Sequence, residues 1–154
     1  MVNNYAAGTS PLTCAILDDD EINRLSLEHF IRLNGSLQIV VSLSGSVEGL
    51  QFFSTGRRVD VLFLDVEMPD LNGLDMLRLL PEPPQVVLTT AHENFAWEAY
   101  ELRVTDYLVK PFDYERFELA VQRVAAHHRT LAAQCHGTSR SPQPGPEPGS
   151  VTHP

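Results

Sequence analysis

Five short apolar runs, continuous rather than alternating, constrain this chain more than any other feature. TCAIL (13–17), QIVVS (38–42), VLFLD (61–65), QVVLT (85–89) and DYLV (106–109) are rich in branched residues and too short for core helices. Such runs suit strands buried on both faces, as in a parallel sheet covered by helices. Between them, apolar residues fall at helical spacing: Ile22, Leu25 and Leu33; Val47 and Leu50; Leu74, Leu77 and Leu80; Phe117, Val121 and Val124. The segment 95–103 has the weakest pattern of the set. Five strands alternating with five helices predict an α/β fold with right-handed crossovers. Parallel strands bring their carboxyl ends to one edge, where such sheets form their ligand crevice.

The 154 residues, 43% of them apolar, suit one globular domain. A formal net charge of −9 repels phosphate backbones and anionic lipid, so no nucleic acid is expected to bind this chain alone, and no membrane. Neither a basic-then-apolar leader nor a run of membrane-spanning length is found, and a cytoplasmic protein is expected. Cys14 sits in an apolar run and Cys135 in a polar one, which gives no disulfide framework. From Gln134 the chain becomes dense in Pro, Gly and Ser without apolar periodicity. The expected organisation is an N-terminal extension over 1–11, a domain over 12–133, and a disordered tail or interdomain linker over 134–154.

Residues at the predicted strand ends carry the chemistry. The first strand ends in Asp18-Asp19-Asp20-Glu21, the third in Asp65, the fourth in Thr89-Thr90, and the fifth runs into Lys110-Pro111. Carboxylates crowded at one edge repel by roughly 4 kcal/mol per 4 Å pair at an effective dielectric near 20, unless cations intervene. Asp18, Asp19 and Asp65 carry three negative charges, and one Mg2+ with Lys110 would balance them. Mg2+ suits such a site because it takes carboxylate oxygens and retains waters, whereas zinc would call for Cys or His at these strand ends. Asp20 and Glu21 are better read as the N-cap and first-turn acid of the following helix. His127, His128, His136 and Cys135 lack metal-ligand spacing and are expected at the surface. Trp97 and Tyr100 suit either packing of the fourth helix or a partner face.

The segments ILDDDEINR, VLFLDVEMPDLNGLD, LTTAHE and YLVKPF, in this order, resemble the four signatures of response-regulator receiver domains across residues 12–130. Taken singly, each acid, hydroxyl or lysine has an ordinary structural role; jointly they point to function. The resemblance implies a flavodoxin-like, doubly wound sheet of order 2-1-3-4-5 with helices on both faces. It implies that Asp18, Asp19 and Asp65 hold Mg2+ together with the backbone carbonyl of Glu67. Asp65 is the implied phosphoacceptor, Lys110 the phosphoryl-pairing lysine, Thr90 the switch hydroxyl and Tyr107 the switch aromatic. Glu67 and His92 would flank the path of water to the acyl phosphate, and the Lys110–Pro111 bond would be cis. The phosphodonor would be a sensor histidine kinase, and the readout an output domain or partner on the face from the fourth to the fifth helix, with a homodimer left open. Twenty positions separate Thr90 from Lys110, a spacing that resembles receivers of LytTR-type regulators.

Such a domain would catalyse only its own phosphorylation and dephosphorylation. One rival is a pseudo-receiver that binds partners independently of phosphorylation; the intact set Asp18, Asp19, Asp65, Thr90 and Lys110 argues against it. A haloacid-dehalogenase-type phosphatase expects a second Asp two residues after its nucleophile, where this chain has Glu67. A flavodoxin-like cofactor binder would need amide donors or cations where the first loop is acidic.

Overall fold

The computed structural model describes residues 10–136. Strands β1 (Leu12–Leu17), β2 (Leu37–Leu43), β3 (Val61–Asp65), β4 (Gln85–Thr90) and β5 (Asp106–Val109) alternate with helices α1 (Glu21–Asn34), α2 (Ser46–Ser54), α3 (Gly73–Leu79), α4 (Ala96–Glu101) and α5 (Tyr114–His136). The strands form one parallel sheet in the order β2-β1-β3-β4-β5. This is the α/β architecture expected from the alternation, and the order expected from the resemblance.

Alternate residues of the inner strands feed two cores, which is why their sequences are apolar at every position. Cys14, Ile16, Val61, Phe63 and Val87 face α1 and α5, packing on Leu27, Ile31, Phe117, Val121 and Val124. Ala15, Leu17, Leu62, Leu64, Val86 and Leu88 face the other way, toward Phe52 of α2, Leu74, Met76 and Leu77 of α3, and Ala99 of α4. Burial in β1 pushes the Cys14 thiol up to about 12, so it behaves as a small apolar side chain. The edge strands differ from the expectation of burial on both faces: β2 is mostly half-buried, and β5 alternates buried with half-buried residues.

Several helix faces also depart from the sequence reading. Ile22, Leu25 and Leu33 of α1 are exposed, and the helix rests instead on Leu27 and Ile31. Helix α1 carries apolar residues on two faces, and spacing alone cannot choose between them. Val47 is likewise exposed. The region 95–103 forms a 3-10 turn (Glu93–Phe95) and the short α4, anchored by Ala99; Trp97 and Tyr100 stack on each other outside the core, 6.3 Å apart. Helix α5 continues through Gln134 and Cys135 to His136, past the expected boundary at 133, because AAHHRTLAAQ holds good helix formers. The proposed N-terminal extension and tail otherwise lie outside the described residues.

One buried charge ties β5 to α5. The Asp106 carboxylate, 5% exposed, takes both arms of Arg116 at 2.8 and 2.9 Å and Arg123 at 2.9 Å. Arg116 also donates to the Tyr107 carbonyl at 3.1 Å. Burial alone would raise the Asp106 pKa, but the Arg116 hydrogen bonds outweigh it and hold the carboxyl below the usual range. Removing one partner leaves a buried charge short of its donors. We expect Arg116→Ala to cost about 2 kcal/mol at pH 7, because Arg123 stays and Arg116 itself is partly solvated. A carboxylate with a depressed folded pKa stabilises above its unfolded value, near 4, and loses that contribution as pH falls. The gap between wild type and Arg116→Ala in urea melts should therefore narrow as pH drops from 5 to 3.

Candidate functional site

The carboxyl ends of β1, β3, β4 and β5 converge as the parallel sheet requires. Asp18 follows β1, and its carboxylate does two jobs at once. Oδ1 accepts the Asp20 amide at 2.9 Å, shaping the turn, while Oδ2 accepts Lys110 Nζ at 2.8 Å. Asp20 caps α1 by accepting the Asn23 amide at 3.0 Å, the structural role expected of it. Arg24, one turn into α1, donates to the Asp18 carbonyl at 2.7 Å and fixes the loop from the other side. Sequence reasoning missed Arg24, since nothing in its spacing distinguishes it from a solvated cation.

Asp65 ends β3 and is 2% exposed. The chain then turns through Met68-Pro69-Asp70, with Asp70 at φ 69°, and returns at Gly73, whose amide donates to the Val66 carbonyl at 2.9 Å. A Cβ on Gly73 would stand 2.1 Å from the Asp65 carbonyl oxygen, so no other residue can start α3 this close to the strand.

Lys110 reaches back from the end of β5, where its amide donates to the Thr90 carbonyl at 2.7 Å. Its Nζ lies 3.2 Å from Asp65 Oδ1 as well as 2.8 Å from Asp18 Oδ2. Among the described residues it is the cation that ion-pairs with these two acids. The Lys110–Pro111 peptide is cis. Carboxylate oxygens of Asp18, Asp19 and Asp65 lie within 4.8 Å of one another, with Asp19 exposed and the other two buried. Among the described residues this is the one such group able to hold a metal ion.

The electrostatics show that the cluster is short of positive charge. Burial, then the charge of Asp18, pushes the Asp65 carboxyl up to about 8, and Lys110 pulls it down only in part. Lys110 is itself held above its ordinary value, since its bond to Asp18 and the two negative charges outweigh its burial. A further cation would let Asp65 ionise at neutral pH. The donors are all hard oxygens, with one exposed acid leaving room for waters, which is the set Mg2+ prefers.

Thr90 at the end of β4 is fully buried, and its hydroxyl donates to the Glu67 carboxylate rather than toward Asp65. The Ala91 amide also points at Glu67, at 3.4 Å. Burial would raise the Glu67 pKa, but the Thr90 bond and its other donors hold it below the usual range. Tyr107 is half-buried, and its hydroxyl donates to the His92 carbonyl at 2.8 Å. His92 Nε2 stands 3.9 Å from Glu67. Asp18, Asp19, Asp65 and Lys110 thus meet at the carboxyl edge of the sheet, and Glu67, Thr90, His92 and Tyr107 form a hydrogen-bonded chain beside Asp65. His127 is exposed and His128 half-buried, both on α5 and apart from that crevice. The side-chain role of Glu67 was not legible, because 23 positions separate it from Thr90.

A doubly wound sheet with an acidic pair, an aspartate, a hydroxyl and a lysine at its carboxyl edge is the arrangement that the resemblance to receiver domains implies. The chain belongs to the response regulator receiver domain family, whose model matches residues 14–122. It is 35% identical over 77% of its length to a response regulatory protein of Vibrio cholerae, covering 50% of that relative. It is 33% identical over 72% of its length to the transcriptional regulatory protein LytR of Staphylococcus aureus, covering 46% of it. The chain therefore spans about half the length of these curated relatives. Among solved structures, the response regulatory domain of mrkE from Klebsiella pneumoniae matches with a TM-score of 0.71 at 26% identity, over 77% of this chain and 99% of that one. The receiver domain of AraT from Geobacillus stearothermophilus matches at 0.67 and 29%, over 79% and 99%. Receiver domains generally bind Mg2+ and work with a sensor kinase and an output domain.

If the acidic cluster takes Mg2+, the ion should stabilise the folded chain by linkage. A concentration tenfold above Kd should raise Tm by roughly 4 °C. Metal must displace the Asp65 proton, so affinity should strengthen as pH rises from 6 toward 8. Calorimetric titration at three pH values, repeated on Asp65→Asn, checks both points; a Kd flat with pH would contradict the charge argument.

Proposed function

We propose that this domain accepts a phosphoryl group on Asp65 from a phosphohistidine of a sensor histidine kinase, and presents a changed surface in response. The observation that carries the reading is the placement of Lys110 Nζ between Asp18 and Asp65, at 2.8 and 3.2 Å, beside a three-carboxylate cluster. One Asp65 carboxylate oxygen attacks phosphorus, the P–N bond to the donor imidazole breaks, and an acyl phosphate forms. Charge in such a transfer sits on peripheral oxygens, so stabilisation is chiefly electrostatic. Lys110 neutralises one of those oxygens while holding Asp65 in place. Asp18, Asp19, Asp65 and the Glu67 carbonyl would hold Mg2+, which supplies the remaining positive charge when bound. Thr90 and Tyr107 would then convey the new charge to the face built by α4, β5 and α5, where an output domain, a partner or a second copy reads it. This role places the chain in the cytoplasm, on the kinase side of the membrane, and among the described residues no helix is long and apolar enough to cross one.

The phosphatase reading fares worse than it did from sequence. A general acid two residues after the nucleophile would have to face the leaving group, whereas Glu67 turns to Thr90 and is held ionised there. The phosphorylation-independent alternative differs in one measurable respect. Incubation with a small phosphodonor and Mg2+ should add one phosphoryl mass to the intact chain. The adduct should be absent from Asp65→Asn and reduced at least tenfold in initial rate in Lys110→Ala. A folded wild type that gains no mass leaves a binding module in place of a phosphoacceptor.

A further inference from the structure

In the structure the Glu67 carboxylate lies within hydrogen-bonding reach of the Asp65 carboxyl, and a chain of hydrogen bonds leads outward from it. The Thr90 hydroxyl donates to Glu67, and the His92 amide donates back to Thr90 Oγ1 at 3.1 Å. The His92 carbonyl accepts the Tyr107 hydroxyl at 2.8 Å. One carboxylate therefore fixes Thr90, and the two backbone groups of His92 carry that setting on to the Tyr107 ring. Glu67 is itself anchored beside the reaction centre, with its amide on Asp65 Oδ1 at 3.3 Å.

We infer that the Glu67 carboxylate is a built-in latch: it takes the Thr90 hydroxyl proton so that none is offered to Asp65 and, through His92, keeps the Tyr107 hydroxyl on the His92 carbonyl. The inference rests on the proposed function for what opens the latch, but not for its existence. A hydroxyl has one proton to donate, so Thr90 cannot serve Glu67 and a group on Asp65 together. A phosphoryl group on Asp65 competes for that proton and, by adding negative charge beside Glu67, repels the carboxylate that holds it. Glu67 thereby sets how far the domain rests on the unswitched side before any signal arrives. It is a positioning residue, acting through Thr90. The rest position depends on one charge-assisted bond, whose loss should raise the share of the other Tyr107 position roughly tenfold.

The test labels the protein's four tyrosines with fluorotyrosine and assigns Tyr107 by its loss in Tyr107→Phe. Fluorine spectra are recorded without phosphodonor or metal. The Tyr107 signal should move or split in Glu67→Ala, and should stay near the wild-type position in Glu67→Gln, which keeps an acceptor oxygen. In a Thr90→Ala background, Glu67→Ala should cause no further change, as expected of two residues acting through one bond. Glu67 is partly exposed, and a thermal melt of each variant confirms folding. A Tyr107 signal indifferent to Glu67→Ala overturns the latch, and so does an equal shift in the Thr90→Ala background. Intact mass of the same samples after phosphodonor separates the two readings. A wild type that gains no mass but whose Tyr107 signal obeys the pattern above loses the proposed function and keeps the latch.

Discussion

The carboxyl edge of this sheet depends on Lys110 standing between two buried aspartates. Without it, Asp18 and Asp65 would face each other as two buried charges with no cation between them, which is costly. With it, they are tolerated but not neutralised, and Asp65 retains its proton more readily than a solvated aspartate. The site is therefore poised: stable enough to fold, and unbalanced enough to draw in a divalent cation. The rest of the edge follows from that arrangement. The turn at Asp18, the tight return at Gly73 and the bond from the Lys110 amide to the Thr90 carbonyl all hold groups where their charges would otherwise push them apart.

The same economy appears at β5. Asp106 is buried at the start of the strand that ends in Lys110, and it is satisfied by two arginines from α5. Arg116 also touches the carbonyl of Tyr107, so strand and helix are joined at the residue whose ring faces the crevice rim. The lysine of the site and the anchor to α5 thus share one short strand, braced at its beginning by Asp106 and followed by Lys110.

Much of this was legible in the sequence where composition and position coincide. VLFLD had to be a central strand, since every residue is apolar until Asp65, and strand ends in parallel sheets have a fixed edge. The cluster of Asp18, Asp19 and Asp65 with Lys110 followed from that edge. The faces of α1 were not legible, because Ile22, Leu25 and Leu33 form as good a stripe as Leu27 and Ile31, and only the sheet's position decides between them. The partial burial of β2 and β5 was hidden for a related reason: an edge strand covered by side chains from one neighbour can look as apolar as a central one. For Trp97 and Tyr100 the sequence left packing and an exposed face open, and the short α4 carries both rings outward. The contact between Glu67 and Thr90 joins two loops through the third dimension, and no local pattern encodes it.

The division of labour within the Asp18 carboxylate has a consequence for how the domain assembles. One oxygen starts the turn into α1 and the other receives Lys110 at the end of β5, 92 positions further along the chain. A carboxylate is a rigid plane, so neither oxygen can be repositioned without the other. The turn into α1 and the docking of the Lys110 side chain are therefore geometrically coupled. The first turn of the first helix is in this sense completed by the far end of the sheet, and the two are welded at a single side chain.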